Sequence, residues 1–251
     1  MRFVCLFLHS EDVENEQILQ SLRFLHEEMK MIHCDLKPEN VVIESYSRSD
    51  VKVIDLGSSA FRGDTASYYI QSRAYRAPEV VLGQPFDCKI DMWSLGCVLA
   101  ELYSGSVLFQ NDSVPTMVGR IVAILGEQAR WKMFNAGGKY RRHIFTKTGD
   151  IYERDPRTGE PTIIHPVPSS LNEQMGSSPD VFVNFVQSLL FVSPSERPSA
   201  REALEHPFFG ENFAMSHQDD YKGPSTVEKM VSPYSSVRTR KVLGLYAYVE
   251  G

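Results

Sequence analysis

His33-Cys34-Asp35-Leu36-Lys37-Pro38-Glu39-Asn40 gathers an imidazole, two carboxylates, an ammonium and a carboxamide into one short run. Two further fragments follow in order, Asp55-Leu56-Gly57 and Ala77-Pro78-Glu79. Upstream, Ile18, Leu22, Leu25 and Met29 recur at i, i+4, i+7 and i+11 with Leu19 beside them. This spacing predicts a helix over 13–29 that buries one face and turns Glu16, Gln20, Arg23 and Glu27 away. Downstream, Val41-Val42-Ile43 and Val51-Lys52-Val53-Ile54 are β-branched runs joined by a polar stretch over 44–50, the pattern of a small hairpin. The charged run therefore enters the hairpin, and Asp55 leaves it. Polar sequence from Gly57 to about Tyr75 reads as a long loop, and loops beyond about 12–15 residues are usually functional or disordered.

Farther out the chain is helical. Ile90, Met92, Trp93, Leu95, Val98, Leu99 and Leu102 make 89–103 apolar nearly all round, and Ser104-Gly105 ends it, so this helix belongs in the middle of the fold. Further helices are expected over 116–125, stopped by Gly126, and over 180–191, with Phe182, Phe185, Val186 and Leu189 on one face. A last one starts at the capping box Ser199-Ala200-Arg201-Glu202 and ends at His206-Pro207. Residues 137–170 alternate glycines, prolines and charges with short apolar runs, an irregular insertion carrying one hairpin. Residues 1–13 read as an irregular start and 211–251 as a loosely held tail. The fold class is mainly α with a small β-hairpin.

Composition narrows the function. The 251 residues are 42% hydrophobic and 23% charged, which excludes disordered and fibrous classes. A net charge of −6 argues against nucleic acid as a partner. The basic spots Arg141-Arg142 and 238–241 are too short to read as more than solvated surface. No apolar stretch reaches the roughly 20 residues a membrane span needs, and residues 3–8 run into Ser10-Glu11-Asp12 without a cleavage site, so no membrane is expected. Cys5, Cys34, Cys88 and Cys97 show no C-x-x-C pair, which fits neither zinc nor a disulfide framework and points to an intracellular home, cytoplasm or nucleus.

Moving a phosphoryl group from ATP needs a carboxylate near the attacking hydroxyl, a cation at the moving phosphate and oxygen ligands for a divalent ion. Asp35, Lys37, Asn40 and Asp55 are groups of those kinds. With Ala77-Pro78-Glu79, Asp91-Met92-Trp93-Ser94-Leu95-Gly96 and Arg197 in the same order, the chain resembles the eukaryotic protein kinases over about 14–210. The resemblance implies a fold matching the family's larger, helical C-terminal lobe, with ATP and Mg2+ as cofactors and proteins as substrates. It implies that Asp35 orients the substrate hydroxyl, that Lys37 meets the γ-phosphate, that Asn40 and Asp55 hold magnesium, and that Ser72 bridges Asp35 and Lys37. Val42 and Ile54 would floor the adenine site. His33 and Asp91 would be structural, and Glu79 and Arg197 would form a buried ion pair.

His-Cys-Asp at 33–35 and the run Tyr68-Tyr69-Ile70-Gln71-Ser72-Arg73-Ala74-Tyr75-Arg76 narrow the resemblance to the dual-specificity tyrosine-regulated (DYRK) kinases of the CMGC group. In that branch the enzyme phosphorylates a loop tyrosine, here Tyr69, and Arg73 and Arg76 would hold the phosphate by charge-assisted bonds. Cys34 occupies an arginine's usual slot and reads as inert. Leu56 replaces the usual phenylalanine and keeps an apolar plug. Taken singly, Asp91 could cap its helix, His33 could be a core histidine, and Asp35 and Asp55 could be turn residues.

The family's smaller lobe, with its glycine-rich loop and strand lysine, finds no counterpart before Asp35. The N-terminal lobe is therefore expected to be absent, leaving an apolar patch around Val42 and Ile54. Two functions stay open: a Ser/Thr kinase with tyrosine autophosphorylation, in truncated form, or a catalytically inactive kinase-derived binding or scaffold module.

Overall fold

The computed structural model describes residues 11–45, 50–63, 70–176 and 178–210, with backbone alone for 11–15. The first helix, α1 (Glu11–Arg23), runs on into a π-helical turn over Phe24–Glu28. After it come strand β1 (Met31–Ile32), the hairpin β2 (Val41–Ser45) and β3 (Asp50–Val53), and strand β4 (Ala60–Phe61). The hairpin pairs Val41 with Val53 and Val42 with Lys52, as the β-branched runs predict. The β1–β4 pair was not foreseen: it holds only Met31 to Phe61 and Ile32 to Ala60, too short for any alternation to register.

Helices α2 (Pro78–Leu82), α3 (Lys89–Ser104), α4 (Val114–Leu125) and α5 (Glu127–Ala136) follow. Then come a second hairpin, β5 (Tyr152–Arg154) with β6 (Pro161–Ile163), and helices α6 (Leu171–Met175), α7 (Asp180–Leu189) and α8 (Ala200–Ala203). The insertion expected over 137–170 thus carries its one hairpin. Helix α5 escaped the sequence because it buries only Ala129 and Met133, and Gly126 separates it from α4 without a loop. The capping box at Ser199 is present, but α8 is a single turn, shorter than expected.

Helix α3 is the hub. From Ile90 to Ala100 every residue is buried, and Gly105 closes the helix in the left-handed region at φ 73°. Helices α6 and α7 pack against it. Contact there is close at Gly96, where a Cβ would come within 2.9 Å of Leu190, so a larger residue would force the neighbour aside. Trp93 is stacked on Phe109 at 5.5 Å. Helix α1 lies between β3 and α8, so its buried arc is wider than one stripe. Gln20, expected to face away, is buried, and its Oε1 finds no hydrogen-bond partner among the described residues. The starting segment 1–10 and the tail from 211 lie outside the described residues. Among the described residues no helix is long and apolar enough to cross a membrane.

Candidate active site

The loop between β1 and β2 is shaped from below by one buried carboxylate. Asp91, in the first turn of α3, caps nothing on its own helix. Its Oδ2 accepts from the His33 amide at 2.8 Å and from His26 Nε2 at 2.8 Å, and its Oδ1 accepts from the Cys34 amide at 3.0 Å. These bonds hold Cys34 at φ 65°, a left-handed conformation uncommon for residues other than glycine. Burial pushes the Asp91 carboxyl up, but the His26 hydrogen bond and the nearby imidazoles outweigh it and hold it below the ordinary value. The Cys34 thiol is raised well above its ordinary range by burial and then by Asp91, which keeps it in its protonated form.

Three side chains then meet above that floor. Lys37 Nζ donates to Asp35 Oδ2 at 2.8 Å, and the Ser72 hydroxyl and amide donate to Asp35 Oδ1 at 2.8 and 3.0 Å. Lys37 also reaches Ser72 Oγ at 3.4 Å. Burial raises the Asp35 carboxyl, yet the Lys37 and Ser72 bonds prevail and keep it ionised below the ordinary range. Lys37 is raised in turn, first by its bond to Asp35 and also by Glu39 and Asp55. Asn40 Nδ2 donates to the Asp35 carbonyl at 2.8 Å, which orients its Oδ1 as the remaining acceptor.

Asp55 is placed by its neighbour. The Ile54 amide donates to the Asn40 carbonyl at 2.9 Å, and the Ile54 carbonyl accepts from His33 Nε2 at 2.9 Å. The His33 tautomer with its proton on Nε2 satisfies this bond and leaves Nδ1 to accept from the Asp35 amide at 3.3 Å. Asp55 itself is exposed, sits at φ 64°, and accepts from the Gly57 amide at 3.1 Å. Its carboxylate, the Asn40 carboxamide oxygen and the oxygens of a bound phosphate are the hard donors that a small divalent ion prefers. Among the described residues no cluster of three or more His, Cys, Asp or Glu side chains could hold a metal unaided. Val42 is half-buried, and Ile54 is 40% exposed on the same edge.

The segment around Ser72 is braced by Gln71 and Tyr75, which the sequence reading quoted without assigning a role, and by Glu101, which it passed over. Gln71, buried and at φ 63°, donates through Nε2 to Ser94 Oγ at 2.8 Å and to the Ile90 carbonyl at 3.0 Å. Its Oε1 accepts from the Ala77 amide at 3.0 Å, and its backbone amide donates to the Cys34 carbonyl at 2.9 Å. Gln71 stands in the quoted run 68–76, but the sequence reading gave it no role of its own. Tyr75 donates its hydroxyl to Glu101 at 2.7 Å; burial raises the Glu101 carboxyl, and Glu39 raises it further. Glu39 is thus close enough to act on both Lys37 and the half-buried Glu101.

Glu79 and Arg197 form the expected buried pair, at 2.7 and 2.6 Å. Arg197 also donates to the carbonyls of Lys89, Phe191 and Val192, so all five guanidinium N–H groups are used. Its Cζ lies 5.2 Å over the Trp93 ring. Arg73 is exposed and donates to the Asp112 carbonyl at 2.9 Å. Arg76 is buried and donates to the carbonyls of Ile70 and Gln71 at 2.9 and 2.8 Å. Tyr69 lies outside the described residues.

A carboxylate ringed by lysine and serine, on a mostly helical frame hung from one central helix, is the arrangement expected of a protein kinase. The protein kinase domain model matches residues 11–209, and the chain belongs to that family. Its relatives include "Probable serine/threonine-protein kinase dyrk2" of Dictyostelium discoideum, 38% identical over 76% of this chain and 20% of that protein. "Dual specificity tyrosine-phosphorylation-regulated kinase 4" of Homo sapiens is 35% identical over 91% of the chain and 43% of its own length. "Dual specificity protein kinase YAK1" of Saccharomyces cerevisiae is 34% identical over 76% and 28%. The chain therefore spans less than half the length of these curated relatives.

Proposed function

We propose that this chain supplies the catalytic and substrate-binding lobe of a DYRK-type kinase that passes the γ-phosphate of ATP, with Mg2+, to serine or threonine of proteins and to its own Tyr69. The observation that carries this reading is the meeting of Lys37 and Ser72 on Asp35, at 2.8 Å each. Asp35, kept ionised, accepts a hydrogen bond from the substrate hydroxyl and aims it. Lys37 lies beside the same carboxylate, where charge on the moving phosphate is neutralised. Asn40 and Asp55 would hold the magnesium ion, which would supply positive charge against the nucleotide's phosphates. Val42 and Ile54 offer the adenine an apolar floor. Glu39 and Glu101 favour substrates with a basic residue near the target.

Arg76, next to the carbonyls of Ile70 and Gln71, and Arg73 on the surface are within chain reach of a phosphate on Tyr69. Such a phosphate, at a charge of about −1.5 to −2, orders the loop through paired guanidinium bonds.

The 251 residues hold no G-x-G-x-x-G loop, and the described residues contain no sheet larger than two strands. On its own the chain therefore lacks the family's grip on the α- and β-phosphates and transfers phosphate slowly or not at all. The test is phosphate incorporation into a basic protein by this chain alone and by the same chain joined to a glycine-loop and strand-lysine segment, with mass spectrometry at Tyr69. The joined protein should label the substrate and Tyr69, and Asp35→Asn should lower its rate by about 10²–10⁴. A joined protein that binds ATP but transfers nothing would favour the scaffold reading, which the exposed Ile54 edge also supports as a docking face.

A further inference from the structure

Charge is unevenly spread over this molecule. The whole chain carries −6, yet residues 127–150 contain six lysines and arginines against two acids. Both acids are engaged by one cation, Arg130, which meets Glu127 at 2.6 Å and Asp150 at 3.5 Å. Lys132 is paired with Glu196. Arg141 meets no carboxylate among the described residues; its guanidinium lies 4.5 Å over the Phe134 ring. Arg142 and Lys147 are exposed and make no ion pair among the described residues.

An indole sits among these cations. Trp131 is 43% exposed, whereas the chain's other tryptophan, Trp93, is fully buried. Phe134 supports Trp131 edge-on at 5.8 Å, and Arg130 covers it at 4.7 Å. The turn bearing Lys147 abuts the ring, since a Cβ on Gly149 would come within 3.0 Å of it. The short turn Arg141–His143 joins the same layer through Phe134. What the sequence reads at Arg141-Arg142 as solvated surface is, after folding, the border of an aromatic surface whose cations Arg141, Arg142 and Lys147 meet no carboxylate among the described residues.

We propose that the Trp131 face, apart from the Asp35 site, docks a short acidic segment of a protein partner. Tryptophan and arginine are the side chains that most often dominate protein interfaces, and guanidiniums already laid on aromatic rings lose little freedom on binding. Charge complementarity selects an acidic occupant. It also selects a short one, because outside 127–150 the chain has ten more acidic than basic residues, and a long polyanion such as nucleic acid would meet that repulsion.

Trp131 reports on its own occupancy, because Trp93 is shielded from solvent. The 251-residue protein is titrated with a short glutamate-glycine peptide, and acrylamide quenching of the indole is followed. Quenching should fall, the binding should weaken with salt, and Arg142→Glu with Lys147→Glu should reduce affinity about tenfold or more. Arg142→Gln with Lys147→Gln should give a smaller loss in the same direction, and thermal melting should show both pairs folded. A labelled copy of the peptide should bind Trp131→Ala more weakly by anisotropy. The proposal is overturned by an unchanged quenching curve, by affinity indifferent to the charge reversal, or by an RNA oligomer of equal charge binding as tightly as the peptide.

Discussion

Asp91 and Asp35 are both carboxylates that folding keeps ionised, in opposite surroundings. Asp91 is fully buried, and its oxygens are met by two backbone amides and the His26 ring. Asp35 is only partly covered, and its partners include the long, partly exposed Lys37 side chain. The same contrast separates Arg197, whose five N–H groups are all bonded in the core, from the exposed Asp55. Groups that fix the frame are saturated by bonds that cannot be exchanged without unfolding. On the proposed function Asp35 and Asp55 are the groups that accommodate a ligand, and they keep open coordination and partners that can shift.

The largest effect should come from stranding a charge inside the frame. Arg197→Ala leaves Glu79 buried and unpaired and should cost about 3–5 kcal/mol in denaturant unfolding. A loss under about 1 kcal/mol would break the contrast. Next, Asp91→Asn keeps the shape but cannot satisfy three donors as an anion does, and about 2–3 kcal/mol should be lost.

That variant also sharpens the pH dependence. The folded protein holds Asp91 below its ordinary value of 3.8, so its contribution is fully present above about pH 4 and is lost as pH falls through the lower folded-state value. Acid titrations of stability should fall less steeply for Asp91→Asn than for the parent.

On the chemical edge the stability effects should be small. Asp35→Asn should alter unfolding by no more than about 1 kcal/mol, since its bonds to Lys37 and Ser72 are only part-buried and the amide keeps most of the side chain's shape, while on the proposed function it should abolish most transfer. Ile54→Lys, at a 40% exposed site, should stay within about 0.5 kcal/mol of the parent while reducing self-association in sedimentation experiments.

Local patterns foretold the elements whose signal is local. Helix α3 announced itself by an unbroken apolar surface, and the β2–β3 hairpin by its β-branched runs. Helix α5 did not, because it buries only two residues, and the β1–β4 pair was too short to alternate. Gln20 was misjudged because α1 is covered from two sides, a fact of packing and not of periodicity. Asp35, Lys37, Asn40 and Asp55 were legible as a set through order and spacing. Gln71 appeared in a quoted run but without its bracing role, and Glu101 was passed over, since one helix-end glutamate carries no pattern.

The sequence by itself determined the residue types of the site, the central helix and the family, because these depend on composition and on spacings within short windows. Only the tertiary structure decided that Asp91 reaches from α3 to His26, His33 and Cys34, and that Arg197 meets Glu79 from far along the chain. It alone gathered Arg141 and Lys147 around Trp131. Contacts between distant residues are selected by how the whole chain buries its apolar surface, and no local window contains that information.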